Sequence, residues 1–357
     1  MVGAGFISGR ELISFFGTEG FAPFVLFAGG LLLVCLLLLF SLGSEYGGAD
    51  GLNRALMKNP KPFGATVLIA SFVFLSAMLA GLDALGEGFG LPGYLPLISS
   101  ASIICVTFCS RYGLKGIEKI NLALVPVVLI IINALIINGV KPDFSGKTPG
   151  LISGTCKAAL YVFLNAFSNL PVILSTARYK SKKILFGAAA LTAAIICFQA
   201  LMILGAVNSG GKSAEYAQIP LLYVLENTSS AVYAAAVFAA ILSSLSSAYY
   251  PLYVVAKEKM QKTGVVLLCI SSLVFSRVGL KGIIDYVYPL LGGLGAIYIL
   301  KCLLFKLKKI TSRRKNFFTE RRMPDIRRMT EIRNIEGKKV FLKQIEEHGG
   351  RTCRKTV

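Results

Sequence analysis

The sequence predicts an all-α integral membrane protein of ten helices arranged as two five-helix units, the second inverted relative to the first. Three observations predict it. The 357 residues are 55% hydrophobic and only 16% charged, well under the roughly 25% charge of a soluble domain. Apolar stretches long enough to cross a bilayer follow one another along the chain, and basic residues collect in alternate loops between them. An octapeptide recurs at equivalent places in the two halves.

The expected spans after an opening segment are roughly 21–44, 63–85, 94–110, 117–139, 154–177, 184–208, 229–256, 263–276 and 283–305. The opening segment, Met1 to Phe16, counts as the first helix. It is not read as a signal peptide, because it lacks a basic start and carries Glu11 where an apolar core would stand. Loops after the even-numbered helices hold 13 Lys/Arg, among them Arg54, Arg111, Arg178 and Lys257, whereas the opposite loops hold six. Basic loops stay in the cytoplasm. The expectation is therefore a multi-pass plasma-membrane protein with a cytoplasmic C-terminal tail. The net charge of +20 is concentrated in that tail: residues 306–357 carry 17 Lys/Arg against 6 Asp/Glu.

The repeated strings are SRYGLKGI (Ser110 to Ile117) and SRVGLKGI (Ser276 to Ile283), alike at seven of eight positions and 166 residues apart. The first joins helices four and five and the second joins nine and ten. A unit with an odd number of crossings must be inverted in its second copy, which is the plan of many secondary transporters. Repeat one is placed at about 1–139 and repeat two at about 153–305, together a 1–305 membrane domain, followed by a basic 306–357 tail. At the same offset, Gly3 and Gly5 fall near Asn169 and Pro171. Proline removes a backbone donor and breaks helices. Paired interruptions in the first and sixth helices mark a binding site in such folds.

The motif VGAGFISGRE (Val2 to Glu11) in a first helix, combined with the ten-helix plan, resembles the YkvI-type bacterial membrane proteins. Those belong to the amino acid–polyamine–organocation superfamily, with a LeuT-like fold, and the resemblance covers about residues 1–305. It implies transport through the wider superfamily. The family pattern sets a half-helix ahead of the glycine motif, so the first helix is expected to be truncated as given: either the true start lies upstream or the inner half of helix one is lost.

Unwound backbone frees N–H and C=O groups that hydrocarbon leaves unsatisfied and a ligand can use. The expected substrate wall is Gly3, Ala4, Gly5, Phe6 and Ser8 with Tyr161, Asn165 and Asn169. Half-helix N-termini favour a substrate carboxylate, and freed carbonyls suit Na⁺. The bland alternative for the glycines is close helix packing. Ala240, Ser243 and Ser244 resemble the sodium-site segment of LeuT-like transporters, although serines also bond back within their own helix. Glu11 is an intramembrane carboxylate that relays protons or holds the outer half of helix one, or else forms a local ion pair with Arg10 or another partner. Asp83 is read as interfacial.

The function expected is secondary active transport of a small zwitterion such as an amino acid, coupled to Na⁺ or H⁺. The alternative is a transporter-like sensor that binds without transport. No nucleophile–base set or metal cluster points to an enzyme, and no cofactor is expected beyond Na⁺. The tail at 306–335 either lies on anionic lipid or is a solvated arm. Specific nucleic-acid binding is not expected.

Overall fold

The computed structural model describes residues 4–57, 61–92, 96–110, 114–148, 150–311 and 338–340. All regular structure among them is helical. The expected residue Gly3 and most of the 306–335 tail lie outside the described residues. The chain divides into two units, Met1–Cys302 and Leu303–Val357.

The first unit opens with two short helices, α1 (Ala4–Ile7) and α2 (Arg10–Phe16), then α3 (Ala22–Tyr46), α4 (Ala49–Leu56) and α5 (Lys61–Glu87). α6 (Leu97–Cys109), α7 (Leu114–Gly139), α8 (Leu151–Ser168), α9 (Leu170–Tyr179) and α10 (Lys182–Ser209) follow. α11 (Gly211–Tyr216) and α12 (Pro220–Val224) lead into α13 (Glu226–Ser276). The last long helix, α14, runs Leu280–Thr311 with a π-helical turn at Ile283–Val287.

Six helices among the described residues are long and apolar enough to cross a membrane. α3 shows why. Its 25 residues reach about 37 Å at 1.5 Å per residue, enough for a hydrocarbon core of about 30 Å. Pro23 sits in its first turn, where the missing N–H costs nothing. Gly47 ends it at φ +71°, a left-handed conformation that suits glycine. Leu32, Leu36 and Leu39 are buried against the bundle, while Leu26 and Val34 are exposed. A helix that is apolar on both its inner and outer faces suits lipid rather than water.

α13 is continuous helix by hydrogen bonding, yet it is not straight. The Tyr249 hydroxyl stands 3.6 Å from Cys269 Sγ, twenty residues on; a straight helix would separate them by about 30 Å. A Cβ on Gly264 would lie 2.5 Å from the Ala256 carbonyl oxygen. The chain therefore doubles back between these residues, with Gln261 at φ +52° in the turn. The two arms correspond to the spans expected at 229–256 and 263–276. Left-handed backbone costs a non-glycine residue about 1–2 kcal/mol. Gln261→Gly should thus stabilise the protein by about 1 kcal/mol, read as a higher melting temperature in detergent; a lower one would show that the glutamine side chain itself holds the turn.

α13 packs along α5, α6 and α7, and α3 packs against α8, α9 and α10. α14 meets α8 through glycines. Gly292 and Gly295 approach the backbone carbonyls of Leu160 and Phe163 so closely that neither position has room for a Cβ. Small residues let membrane helices touch at backbone distance. Farther along α14, the Tyr298 ring stacks on Phe63 at 4.5 Å, and its hydroxyl donates to Asn53 Oδ1 at 3.1 Å.

Candidate functional site

The opening segment is interrupted between α1 and α2. Gly9 adopts φ +82°, and a Cβ there would crowd Val207 and Ile203 at 3.2 and 3.3 Å. The interruption thus falls at Ser8–Gly9, while Ala4 and Gly5 lie within α1. Freed groups find partners nearby. Ser8 Oγ donates to the Gly5 carbonyl at 3.1 Å and accepts from the Arg10 N–H at 3.3 Å, which satisfies the first N–H of α2. The Ile7 carbonyl accepts from the Tyr233 hydroxyl at 3.1 Å, and the Ser8 carbonyl accepts from the Leu221 N–H at 3.0 Å.

The sixth expected span is interrupted too. α8 ends at Ser168 and α9 begins at Leu170, with Asn169 between them. Pro171 falls in the first turn of α9, where helices tolerate it. Amide and hydroxyl side chains satisfy the broken turn locally: Asn169 Nδ2 donates to the Asn165 carbonyl at 2.9 Å, and Ser168 Oγ to the same oxygen at 3.1 Å.

A cavity of about 420 Å³ opens beside this second interruption. Glu11, Asn165 and Asn169 line it, together with Ser243, Ser244 and Ser247 of α13. Phe74 and Met78 of α5 and Val125 and Leu129 of α7 supply apolar wall. Five of the expected site residues therefore share one cavity. The remainder are placed elsewhere. Phe6 and Tyr161 are buried, with Tyr161 packed on the rings of Phe15 and Phe16. Ser8 is buried at the interruption, and Ala240 is buried on α13 without lining the cavity. Gly5 makes room for a carboxylate: a Cβ there would lie 2.9 Å from Glu11 Oε2.

Glu11 is 4% exposed and has the side chain of Asn165 as its polar neighbour. Arg10 does not neutralise it. The Arg10 guanidinium instead pairs with Asp285 on the π turn of α14 at 3.1 Å and donates to the Glu215 carbonyl at 2.9 Å. The ion pair weighed between Arg10 and Glu11 is thus replaced by a bridge between α2 and α14. Asp83 has internal neighbours, the Ser99 side chain and Arg277.

Sequence reasoning missed Asn121. This residue of α7 ties the serine cluster together: Ser243 Oγ donates to its Oδ1 at 2.7 Å, and its Nδ2 donates to Ser247 Oγ at 2.9 Å. The available signal was the single amide in the apolar run 120–132. Asp285 was missed as well, although it stands two residues after the second copy of the repeated octapeptide.

No protein-family model matches the chain, and no curated protein matches it significantly.

Proposed function

We propose that the chain is a secondary active transporter of a small zwitterionic solute such as an amino acid, driven by Na⁺ or H⁺ through alternating access. The observation that carries this reading is the cavity of about 420 Å³ at the α8–α9 interruption, walled by one buried carboxylate and a set of neutral amides and hydroxyls. Ligand pockets commonly have volumes of about 300–1,000 Å³ with a few converging polar groups. Glu11 suits an ammonium group. The N-terminal turn of α9 suits a carboxylate, since its backbone dipole favours negative charge. With α1–α2 and α8–α9 each taken as one crossing and the arms of α13 as two, the helices supply ten segments. That number supports the inverted-repeat arrangement of LeuT-like proteins.

Either driving ion finds suitable groups here. Ser243 donates its proton to Asn121, which leaves its lone pairs to coordinate a cation. The Ser244 hydroxyl would supply a second oxygen of the kind Na⁺ takes, whereas Ala240 does not line the cavity. Glu11 can carry a proton instead. We place the protein in the plasma membrane with the basic tail in the cytoplasm.

Purified protein reconstituted in liposomes should accumulate at least one labelled amino acid under an imposed Na⁺ or H⁺ gradient. Ser243→Ala with Ser244→Ala should weaken Na⁺ dependence about tenfold if Na⁺ drives uptake; one lost hydrogen-bond-strength contact corresponds to roughly that factor. Glu11→Gln should abolish H⁺ dependence if protons do. Solute binding with no accumulation under either gradient would make the protein a sensor.

A further inference from the structure

A second cavity, of about 430 Å³, lies between the C-terminal end of α5 and the segment that links α11 to α12. Glu87, Gly88 and Phe89 line it on one side, and Gln218, Leu222 and Tyr223 on the other. It shares no lining residue with the central cavity. The two sides touch where a Cβ on Gly88 would lie 3.0 Å from Leu222 Cδ2.

The walls favour a cation for three reasons. Glu87, the last residue of α5, is exposed, and no salt bridge joins it to a basic residue among the described residues. Its neighbour is neutral: Gln218 Nε2 donates to Glu87 Oε2 at 3.4 Å, a long contact that a better donor displaces. The end of α5 is also electronegative in itself. Its last turn holds no basic residue, and the carbonyls of a helix C-terminus carry partial negative charge. Finally, Phe89 and Tyr223 line the cavity from opposite sides with side chains 49% and 48% exposed. Aromatic ring faces attract ammonium groups. A metal ion is matched less well: Ca²⁺ takes about six to eight oxygens, and a single carboxylate stands here.

We propose that this cavity is a second ligand site, which takes a small organic ammonium ion. The charged nitrogen sits at Glu87, and its substituents lie against Phe89 and Tyr223. The volume is that of a small-molecule site. The proposal goes beyond the transport reading and does not depend on it. A bound ion bridges α5 and α12. Leu222 faces this cavity, while the N–H of Leu221 holds the Ser8 carbonyl at 3.0 Å. Occupancy therefore steadies α12 in the position that tethers the opening segment.

Titration of the purified protein in maltoside detergent tests the site with two pairs of probes. Choline is compared with dimethylbutanol, in which carbon replaces the quaternary nitrogen, and phenethylamine with phenethyl alcohol. At least one cation should bind about tenfold or more tightly than its neutral counterpart, the ratio expected of a carboxylate and a ring face together. Binding should weaken as salt rises. Glu87→Gln keeps the shape, removes the charge and should erase the ratio. Tyr223→Leu should weaken the cation several-fold, and Tyr223→Phe should retain it. Both positions are exposed, so these variants should elute as the wild type does. The bound cation should slow hydrogen–deuterium exchange in segments 84–91 and 217–225. A lipid headgroup and a free amine share this chemistry. Cation binding that is lost in phosphatidylethanolamine nanodiscs assigns the site to the headgroup; binding that persists there assigns it to a free amine. Equal affinity within both pairs, no binding of either cation, or protection only in other segments overturns the proposal. Binding that survives Glu87→Gln and is lost in Glu11→Gln belongs to the central cavity and overturns it too.

Discussion

Gly295→Leu is expected to leave little folded protein. Gly295 faces the Phe163 backbone carbonyl and the Phe167 side chain with no space for even a methyl group. A flexible neighbour could swing aside, but the carbonyl belongs to α8 and moves only if the helix moves. Overpacking a core costs about 1–3 kcal/mol where side chains give way; here the backbone must give, so the loss should reach or pass about 3 kcal/mol on the same scale. Two residues earlier, Gly293 has nothing within 4 Å of its would-be Cβ. Gly293→Ala should instead gain up to about 1 kcal/mol of helix propensity. Size-exclusion profiles and melting in detergent separate the two. A monodisperse Gly295→Leu protein that melts with the wild type would mean that α14 does not sit on α8 as described.

Asp285→Ala should be the most damaging single change at the N-terminal end of α2. Arg10 is 9% exposed and Asp285 28% exposed in their side chains, at 3.1 Å separation. Arg10 Nε already lacks a hydrogen-bond partner among the described residues. Without Asp285 the buried guanidinium keeps, among those residues, the Glu215 carbonyl. Removing one member of a buried pair costs about 3–5 kcal/mol, and partial exposure of the aspartate puts this pair near about 3 kcal/mol. The double variant Arg10→Ala/Asp285→Ala removes both charges and should recover much of the loss. A full thermal double-mutant cycle measures the coupling. Strictly additive effects would show that the two charges are independent.

Most of the fold was legible because lipid permits so few alternatives. Apolar length marks the spans of α3, α5 and α10, since a backbone in hydrocarbon must bond within its own helix. The reversal inside α13 was legible from Lys257, Lys259 and Lys262, which a bilayer core would exclude. The α8–α9 interruption was legible from Pro171 and the amides beside it. The exact break in the opening segment was not. Several glycines there permit it, and nothing local says that Gly9 rather than Gly5 takes the left-handed backbone. The cavity was half legible: Glu11, Asn165, Asn169 and the serines stand out as polar residues in apolar runs. Asn121 and Asp285 depend on which helix faces which, a property of long-range packing that local pattern does not carry. Tyr161 and Phe6 are buried and do not line the cavity, as aromatics near an interruption fill core at least as readily as they touch ligand.

The interruption at Ser8–Gly9 has a consequence for exchange. The carbonyls of Ile7 and Ser8 are held by Tyr233 on α13 and by the N–H of Leu221 on α12. Any ion or solute that draws on those oxygens enters as a competitor: each carbonyl has a second lone pair to offer, and sharing it weakens the tether already made. Weakening the first tether loosens α13 from the opening segment, and weakening the second loosens α12. Linkage makes the trade reciprocal. Whatever detaches α12 raises the affinity of those oxygens for the visitor by the same factor by which the visitor weakens the hold on α12. Occupancy at the interruption and the position of α12 are thus two readings of a single equilibrium.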